Sequence, residues 1–185
     1  MSHPNLLHQQ NAALIVVDIQ EGFRPIIADF DKIVGRVATM VRGCKILGVP
    51  VFVTEQYPKG LGNTAAEIEN LFDDSTGVFE KTAFSSCGVE AFVSELTDKG
   101  IKQVMMCGLE THVCVSQTAH DLLERGFQVH VLSDCVTSRF EYNRLAGLAK
   151  MHRSGVIESS IEMALFELMR DAKHEKFKEI QALIK

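Results

Sequence analysis

The chain has 185 residues, of which 46% are hydrophobic and 23% charged, and its net charge is −5. We expect residues 1–185 to form a single globular domain, because a chain of this length and apolar content buries a sizeable core without disulfides or metal ions. The acidic balance and the absence of a Lys or Arg run argue against nucleic-acid and anionic-membrane partners. No apolar stretch of about 18 residues occurs, so no membrane-spanning helix is predicted.

The five cysteines are odd in number and form no Cys-x-x-Cys pair. This pattern favours free thiols in a reducing compartment over a disulfide framework. Residues 1–11 are polar and lack the charged-then-apolar pattern of a signal peptide. We therefore expect a cytoplasmic protein in which one thiol is available for chemistry.

Buried strands alternate with amphipathic helices along the chain. The apolar run Ala12–Val17 predicts a buried parallel strand, and apolar residues at helical spacing predict a helix over 30–47. Strands are then predicted at 51–54, 78–80, 101–107, 127–132 and 156–157, and helices at 89–96, before 126, at 139–152 and at 171–185. For the last helix, packing on its own domain and an oligomer contact are both open interpretations.

A glycine separates a predicted helix from the following strand at Gly48, Gly100, Gly126 and Gly155. Strands that alternate with helices, without hairpin turns, indicate a parallel sheet with right-handed crossovers. We predict an α/β fold with three αβα layers around a doubly wound, mainly parallel, Rossmann-like sheet of about six strands.

Three reactive side chains fall just beyond predicted strands, where open parallel sheets bind ligands. Asp18 follows the first strand, Lys81 follows the strand at 78–80, and Cys114 follows the strand at 101–107. Cys114 begins the next helix, where free N–H groups are expected to lower the pKa of a thiol. Structural roles stay open, because such an aspartate often caps a turn and a single lysine is most often solvated.

The other cysteines have weaker cases for a functional role. Cys44 within a helix and Cys107 within a strand are expected in the core. Cys87 and Cys135 are reserve candidates, because each lies near the predicted ligand-binding edge.

Three segments resemble the isochorismatase-like cysteine hydrolases, the superfamily that includes nicotinamidases and N-carbamoylsarcosine amidase. They are VVDIQEGF at 16–23, EKTAFS at 80–85 and GLETHVCV at 108–115, in the expected order, and Ser133-Asp134 with Ser138 also fits. The stretch TEQYPKGLG at 54–62 is similar to the subgroup of isochorismatase domain-containing proteins.

The resemblance implies a catalytic triad of Asp18, Lys81 and Cys114. Asp18 would take the thiol proton, Lys81 would orient Asp18, and Cys114 would attack a carbonyl carbon. The backbone N–H groups of Glu110 and Cys114 would form the oxyanion hole. In the family a cis peptide bond precedes the first of these donors, which places it at Leu109–Glu110.

The departures from the family pattern bear on the substrate. Nicotinamidases carry an Asp-x-His…His metal site, but no histidine occurs here between His8 and His112, so we expect neither a metal nor another cofactor. The retained cysteine favours C–N bonds of small amides, carbamoyl or ureido compounds over a vinyl ether. Gln20, Phe23, Tyr57 and His112 are candidate substrate contacts, although Phe23 also suits the core and His112 a structural role.

The leading prediction is a cysteine-dependent hydrolase of a small molecule, which the resemblance also implies to be a homo-oligomer. One alternative is a catalytically silent family member that acts through protein–protein contacts. Another is a thiol redox protein that uses Cys87 or Cys135 as the resolving thiol.

Overall fold

A six-stranded sheet with the order β3-β2-β1-β4-β5-β6 forms the centre of the computed structural model, which describes residues 3–185. Every strand pairing is parallel. The strands are β1 Ala12–Val17, β2 Val51–Gln56, β3 Gly77–Lys81, β4 Gln103–Gly108, β5 Gln128–Val136 and β6 Ile157–Ser159.

Eight α-helices connect and flank these strands within residues 3–185. They are α1 Phe30–Ile46, α2 Pro58–Leu61, α3 Ala66–Glu69, α4 Glu90–Asp98, α5 Ser116–Glu124, α6 Glu141–Arg153, α7 Ile161–Met169 and α8 Phe177–Leu183. None of the helices in the described part of the chain is long and apolar enough to cross a membrane.

The core consists of two hydrophobic clusters, one on each face of the sheet. Alternate side chains of β1 supply both: Leu14 and Val16 pack in one cluster, Ile15 and Val17 in the other. The first cluster includes residues of α1, α7 and α8, and the second includes residues of α4, α5 and α6. The predicted three-layer fold is confirmed, and the sheet is fully parallel.

The glycine boundaries are confirmed by the backbone: φ is 67°, 69°, 83° and 99° at Gly48, Gly100, Gly126 and Gly155. These left-handed residues end α1, α4, α5 and α6, as glycines following helices commonly do. The helix predicted over 171–185 is shorter, Phe177–Leu183, and its Ile180 is buried in the cluster beside α1, so it packs on its own domain. Helix α7 was not predicted from the sequence.

The strand order places the candidate residues at one edge of the sheet. Successive strands extend from β1 in one direction through β2 and β3, and in the other through β4, β5 and β6. The connections leaving β1 and β4 therefore diverge, which opens a crevice at their carboxyl ends. Asp18 follows β1 and Cys114 lies beyond β4, whereas Lys81 ends β3, on the far side of β2.

Candidate active site

Asp18 and Lys81 form a fully buried ion pair. The Lys81 Nζ lies 2.6 Å from Asp18 Oδ2, and both side chains are 0% exposed. The other carboxylate oxygen, Oδ1, accepts a hydrogen bond of 2.8 Å from the hydroxyl of Thr54 in β2. Buried charges need partners of this kind, because removal from water costs each ion several kcal/mol. The attraction between the two ions offsets that cost only when they are close and well hydrogen-bonded.

Four acceptors surround the Lys81 ammonium, one more than its three protons can satisfy. Besides Asp18, they are Gln56 Oε1 at 2.7 Å and the carbonyl oxygens of Ala83 at 3.2 Å and Phe84 at 3.0 Å. Gln56 also donates from Nε2 to the Thr82 carbonyl, so its own amide is fixed. The position of the Lys81 charge is therefore set from β2 and from the segment after β3.

Cys114 lies in a π-helical turn, Thr111–Val115, between β4 and α5. The chain enters this turn through Gly108, whose φ is 130°. A Cβ at Gly108 would lie 2.0 Å from the Val17 carbonyl oxygen, so only glycine fits this approach of β4 to β1. The thiol is buried, and the charges of Asp18 and Lys81 act on it.

The structure therefore brings Asp18, Lys81 and Cys114 together at the crevice. Burial raises the pKa of the Cys114 thiol to about 12, and the Asp18 charge adds to this effect, whereas the Lys81 charge opposes it. The prediction that the helix start lowers this pKa is wrong, because burial and the Asp18 charge raise it. At neutral pH the proton stays on sulfur, so a nucleophilic attack requires a base.

Asp18 has the properties of such a base. Burial raises the pKa of its carboxyl above the usual value, although Lys81, Cys114 and Thr54 stabilise the ionised form. A carboxylate with a raised pKa accepts a proton more readily than one in water.

The backbone around Glu110 differs in one respect from the prediction. The peptide bonds of residues 3–185 are all trans, so the expected cis bond at Leu109–Glu110 is wrong. The positive φ of Gly108 supplies the sharp turn instead, and the Leu109 N–H donates to the Val17 carbonyl at 2.9 Å. The Thr111 N–H donates to the Thr137 carbonyl at 2.9 Å, so it is not free for a substrate oxygen.

A model of the isochorismatase domain matches residues 12–162 of this chain. The chain belongs to the isochorismatase family. Isochorismatase domain-containing protein 1 of Salmo salar is 46% identical over 171 residues, which are 91% of this chain but only 59% of that protein. Membership of this family supports a hydrolase.

Solved structures of this family have the same fold. The MAR1 ribonuclease from Caenorhabditis elegans has a TM-score of 0.91 and 40% identity, covering 97% of this chain and 92% of that chain. YcaC from Pseudomonas aeruginosa, solved with hexane-2,5-diol and covalent acrylamide, has a TM-score of 0.90 and 25% identity, with coverage of 99% and 93%.

Two of the candidate substrate contacts in this isochorismatase-family chain, Gln20 and His112, form hydrogen bonds with other residues of the protein. The Gln20 amide is buried and bonds to the backbone of Gln56 and of Gly62, at 2.7–3.0 Å. His112 Nδ1 lies 3.1 Å from Ser138 Oγ, which ties the π-helical turn to the segment after β5. Their contact with substrate stays a prediction, and their observed role is to support the loops beside the triad.

The other two candidate contacts differ in exposure. Phe23 is partly buried and packs against the cluster beside α1, so it serves the core. Tyr57 is 54% exposed and lines a cavity of about 500 Å³ that extends to Lys81. Tyr57 therefore lies on an open cavity that Lys81 also lines.

All five cysteines are free thiols. Cys44 and Cys107 lie in the core at 0% exposure, as predicted, and Cys135 joins them, so its reserve candidacy is wrong. Cys87 is 7% exposed, the same as Cys114, but its pKa is not influenced by Asp18 or Lys81.

Sequence reasoning missed the residues that hold the triad in place. Gln56 was visible as a polar residue after a strand, although nothing indicated that it binds Lys81. Arg139 donates to Glu110 Oε1 from its backbone and from Nε, both at 3.0 Å, and no sequence signal pairs them. No group of metal-binding side chains occurs among residues 3–185.

Proposed function

We propose that this protein hydrolyses the C–N bond of a small amide, carbamoyl or ureido compound through a thioester on Cys114. The carrying observation is the fully buried Asp18–Lys81 ion pair, whose two charges act on the buried Cys114 thiol. A protonated thiol next to an ionised carboxylate is the arrangement that base-assisted nucleophilic attack requires.

In the first half-reaction Asp18 accepts the thiol proton, and the sulfur forms a C–S bond with the carbonyl carbon. The carbonyl electron pair moves to oxygen, which gives a tetrahedral oxyanion. Asp18 then gives its proton to the nitrogen, the C–N bond breaks, and the amine leaves. Lys81 holds Asp18 in place and balances its charge throughout.

In the second half-reaction Asp18 takes a proton from water, whose oxygen attacks the thioester carbon. The C–S bond breaks, the acid leaves, and the proton returns to sulfur, so one water is consumed for each C–N bond. The backbone N–H groups of Glu110 and Cys114 are the proposed oxyanion donors, each contributing about 3–4 kcal/mol to transition-state stabilisation.

Two further observations support a reactive nucleophile and a small substrate. The YcaC structure carries covalent acrylamide, whose vinyl group forms a bond with nucleophiles. The cavity beside Tyr57 and Lys81 has the size of a small-molecule site. We place the unreacting part of the substrate there, and no step of the proposed reaction uses a metal or a cofactor.

The ribonuclease name of the nematode relative raises the question of RNA as substrate. The net charge of −5 disfavours this function, because RNA binding depends largely on basic residues that contact phosphates. A thiol redox function is also disfavoured, because the groups that act on the Cys114 pKa are Asp18 and Lys81 and not a second thiol. Free thiols suit a reducing compartment, and we propose a cytoplasmic location.

Intact-protein mass spectrometry tests the proposal. The protein is incubated with acrylamide and, separately, with a pool of small amides and ureides. We expect a single adduct on Cys114, and we expect Cys114→Ala to abolish both the adduct and amine release. Cys87→Ala is the matched control, because Cys87 is equally buried, and it should keep both.

Amine release that persists in Cys114→Ala would disprove the mechanism. A wild-type protein that forms no adduct and releases no amine from any compound would favour the alternative of a silent family member.

A further inference from the structure

A chain of three buried hydroxyl groups leads from Asp18 into the interior of the molecule. Thr54 Oγ1 donates to Asp18 Oδ1 at 2.8 Å, and Ser86 Oγ lies 3.3 Å from Thr54 Oγ1. Thr118 Oγ1 lies 3.2 Å from Ser86 Oγ. Thr54, Ser86 and Thr118 are all 0% exposed, so they have no contact with solvent.

The two ends of this chain fix the direction of its hydrogen bonds. At one end the ionised carboxylate of Asp18 can only accept. At the other end the Ser86 backbone N–H, which can only donate, points to Thr118 Oγ1 at 2.9 Å. Each hydroxyl has one proton, so the protons of Thr118, Ser86 and Thr54 all point towards Asp18.

Aligned hydrogen bonds polarise one another and strengthen the last one, which here ends on the carboxylate. The same chain also joins separate elements: Thr54 belongs to β2, Ser86 to the short turn Ser86–Gly88, and Thr118 to α5. Helix α5 directly follows the turn that carries Cys114. The chain thus links the candidate base to the helix of the candidate nucleophile.

We propose that Thr54, Ser86 and Thr118 are positioning residues, which orient Asp18 towards Cys114 and stabilise its ionised form. This proposal rests on the proposed function, in which Asp18 is the base. The titratable groups that face Asp18 are Lys81 from β3 and Cys114 from the π-helical turn, and the hydroxyl chain approaches from β2.

The test measures the rate at which iodoacetamide alkylates Cys114 between pH 4 and 9, by mass spectrometry. In the wild-type protein the rate should rise with pH as Asp18 ionises, and we call this rising part of the profile the acid limb. Thr54→Val removes the hydrogen bond to the carboxylate, so the limb should move up by about one pH unit. Ser86→Ala should move the limb in the same direction by a smaller amount. This substitution removes the polarisation of the Thr54 hydroxyl but leaves the hydrogen bond from Thr54 to Asp18.

Two controls separate positioning from packing. Thr54→Ser keeps a hydroxyl and should restore the wild-type limb. Thr64→Val removes another buried hydroxyl, which bonds to Glu55 at 2.7 Å and not to Asp18, and should leave the limb in place.

An unmoved limb in both Thr54→Val and Ser86→Ala would overturn the positioning role, and so would an equal movement in Thr64→Val. These results leave the proposed function intact as long as Cys114→Ala abolishes amine release. A wild-type rate without an acid limb, unchanged by Asp18→Asn, would overturn the positioning role and the base role of Asp18 together.

Discussion

Asp18 adopts a left-handed backbone conformation, with φ of 54°, which residues other than glycine, asparagine and aspartate rarely adopt. Its N–H donates to the Thr54 carbonyl at 3.0 Å, and its own carbonyl accepts from Gln20 N–H at 2.9 Å. The backbone thus leaves β1 at an angle that requires a short polar residue. Asparagine tolerates the same conformation, so Asp18→Asn removes the charge without adding backbone strain.

His130 on β5 predicts a loss of stability in mild acid. It is 1% exposed, its Nδ1 has no hydrogen-bond partner among residues 3–185, and burial lowers the pKa of the imidazole to about 4. The unfolded chain, with a histidine pKa of about 6.5, binds the proton first. Stability should therefore be complete above about pH 6.5 and fall as the pH drops towards 4, by at most about 1.4 kcal/mol per pH unit.

Urea unfolding at several pH values checks this prediction. His130→Gln should lose part of the pH dependence between pH 7 and 5, and should match the wild-type slope between pH 7.5 and 9. Equal slopes of the two proteins below pH 6.5 would contradict it.

At the scale of elements, the sequence predicted what local physics determines. The apolar run of β1 and the glycines after the helices were found because a buried strand and a left-handed helix end each have a short-range signal. Helix α7 was missed because its sequence, IEMALFELM, is almost uniformly apolar and hides the helical period. Its Ser160 cap, which accepts from Met163 N–H, was the available signal.

The close contact between α6 and the π-helical turn gives an element-scale prediction. A Cβ at Gly147 would lie 2.9 Å from His112 Cα and 3.0 Å from Thr111 C, both backbone atoms. Gly147→Ala should therefore push α6 and the turn apart, destabilise the protein by about 1–3 kcal/mol and slow alkylation of Cys114.

Gly35→Ala is the matched control, because it also lies within a helix but its added Cβ meets nothing within 4 Å. It should stabilise the protein by about 0.5–1 kcal/mol, by the higher helix propensity of alanine. Urea unfolding and alkylation rates measure both variants. A Gly147→Ala protein as stable and reactive as Gly35→Ala would refute the packing argument.

At the scale of the whole molecule, strand order was not predictable from the sequence. Lys81 reaches Asp18 across β2, because the strand order places β3 and β1 on either side of that strand. Ser86 contacts Thr118, which lies 32 residues further along the chain. Such contacts arise from long-range pairing, which leaves no local pattern. The ends of the predicted strands indicated Asp18, Lys81 and Cys114, and the resemblance implied that they form a triad, whereas the groups that support them needed the structure.

An exposed apolar patch at the start of α6 predicts self-association. The rings of Phe140 and Tyr142 stack at 5.5 Å, and their residues are 51% and 67% exposed, with Leu145 at 53%. Clustered exposed apolar side chains of this kind mark interaction surfaces. Light scattering should give a mass that is a multiple of 20.5 kDa, and Tyr142→Lys should lower it.

Met163→Lys is the control, because Met163 is 51% exposed but lies on α7, away from the patch in sequence and in layer. It should keep the wild-type mass. A monomeric wild-type protein would rule out an oligomer formed by this patch.

Lys81 belongs to β3, an edge strand that pairs with β2 alone among the strands within residues 3–185. An edge strand separates from a sheet by giving up one ladder instead of two, so its amides exchange with solvent through small local openings more readily than those of β1. Each opening removes the ammonium from Asp18 while the rest of the sheet stays paired. Warming should therefore abolish the proposed activity before the core unfolds. The inactivation temperature should then report the separation of β3 from β2, and not the unfolding of the whole domain.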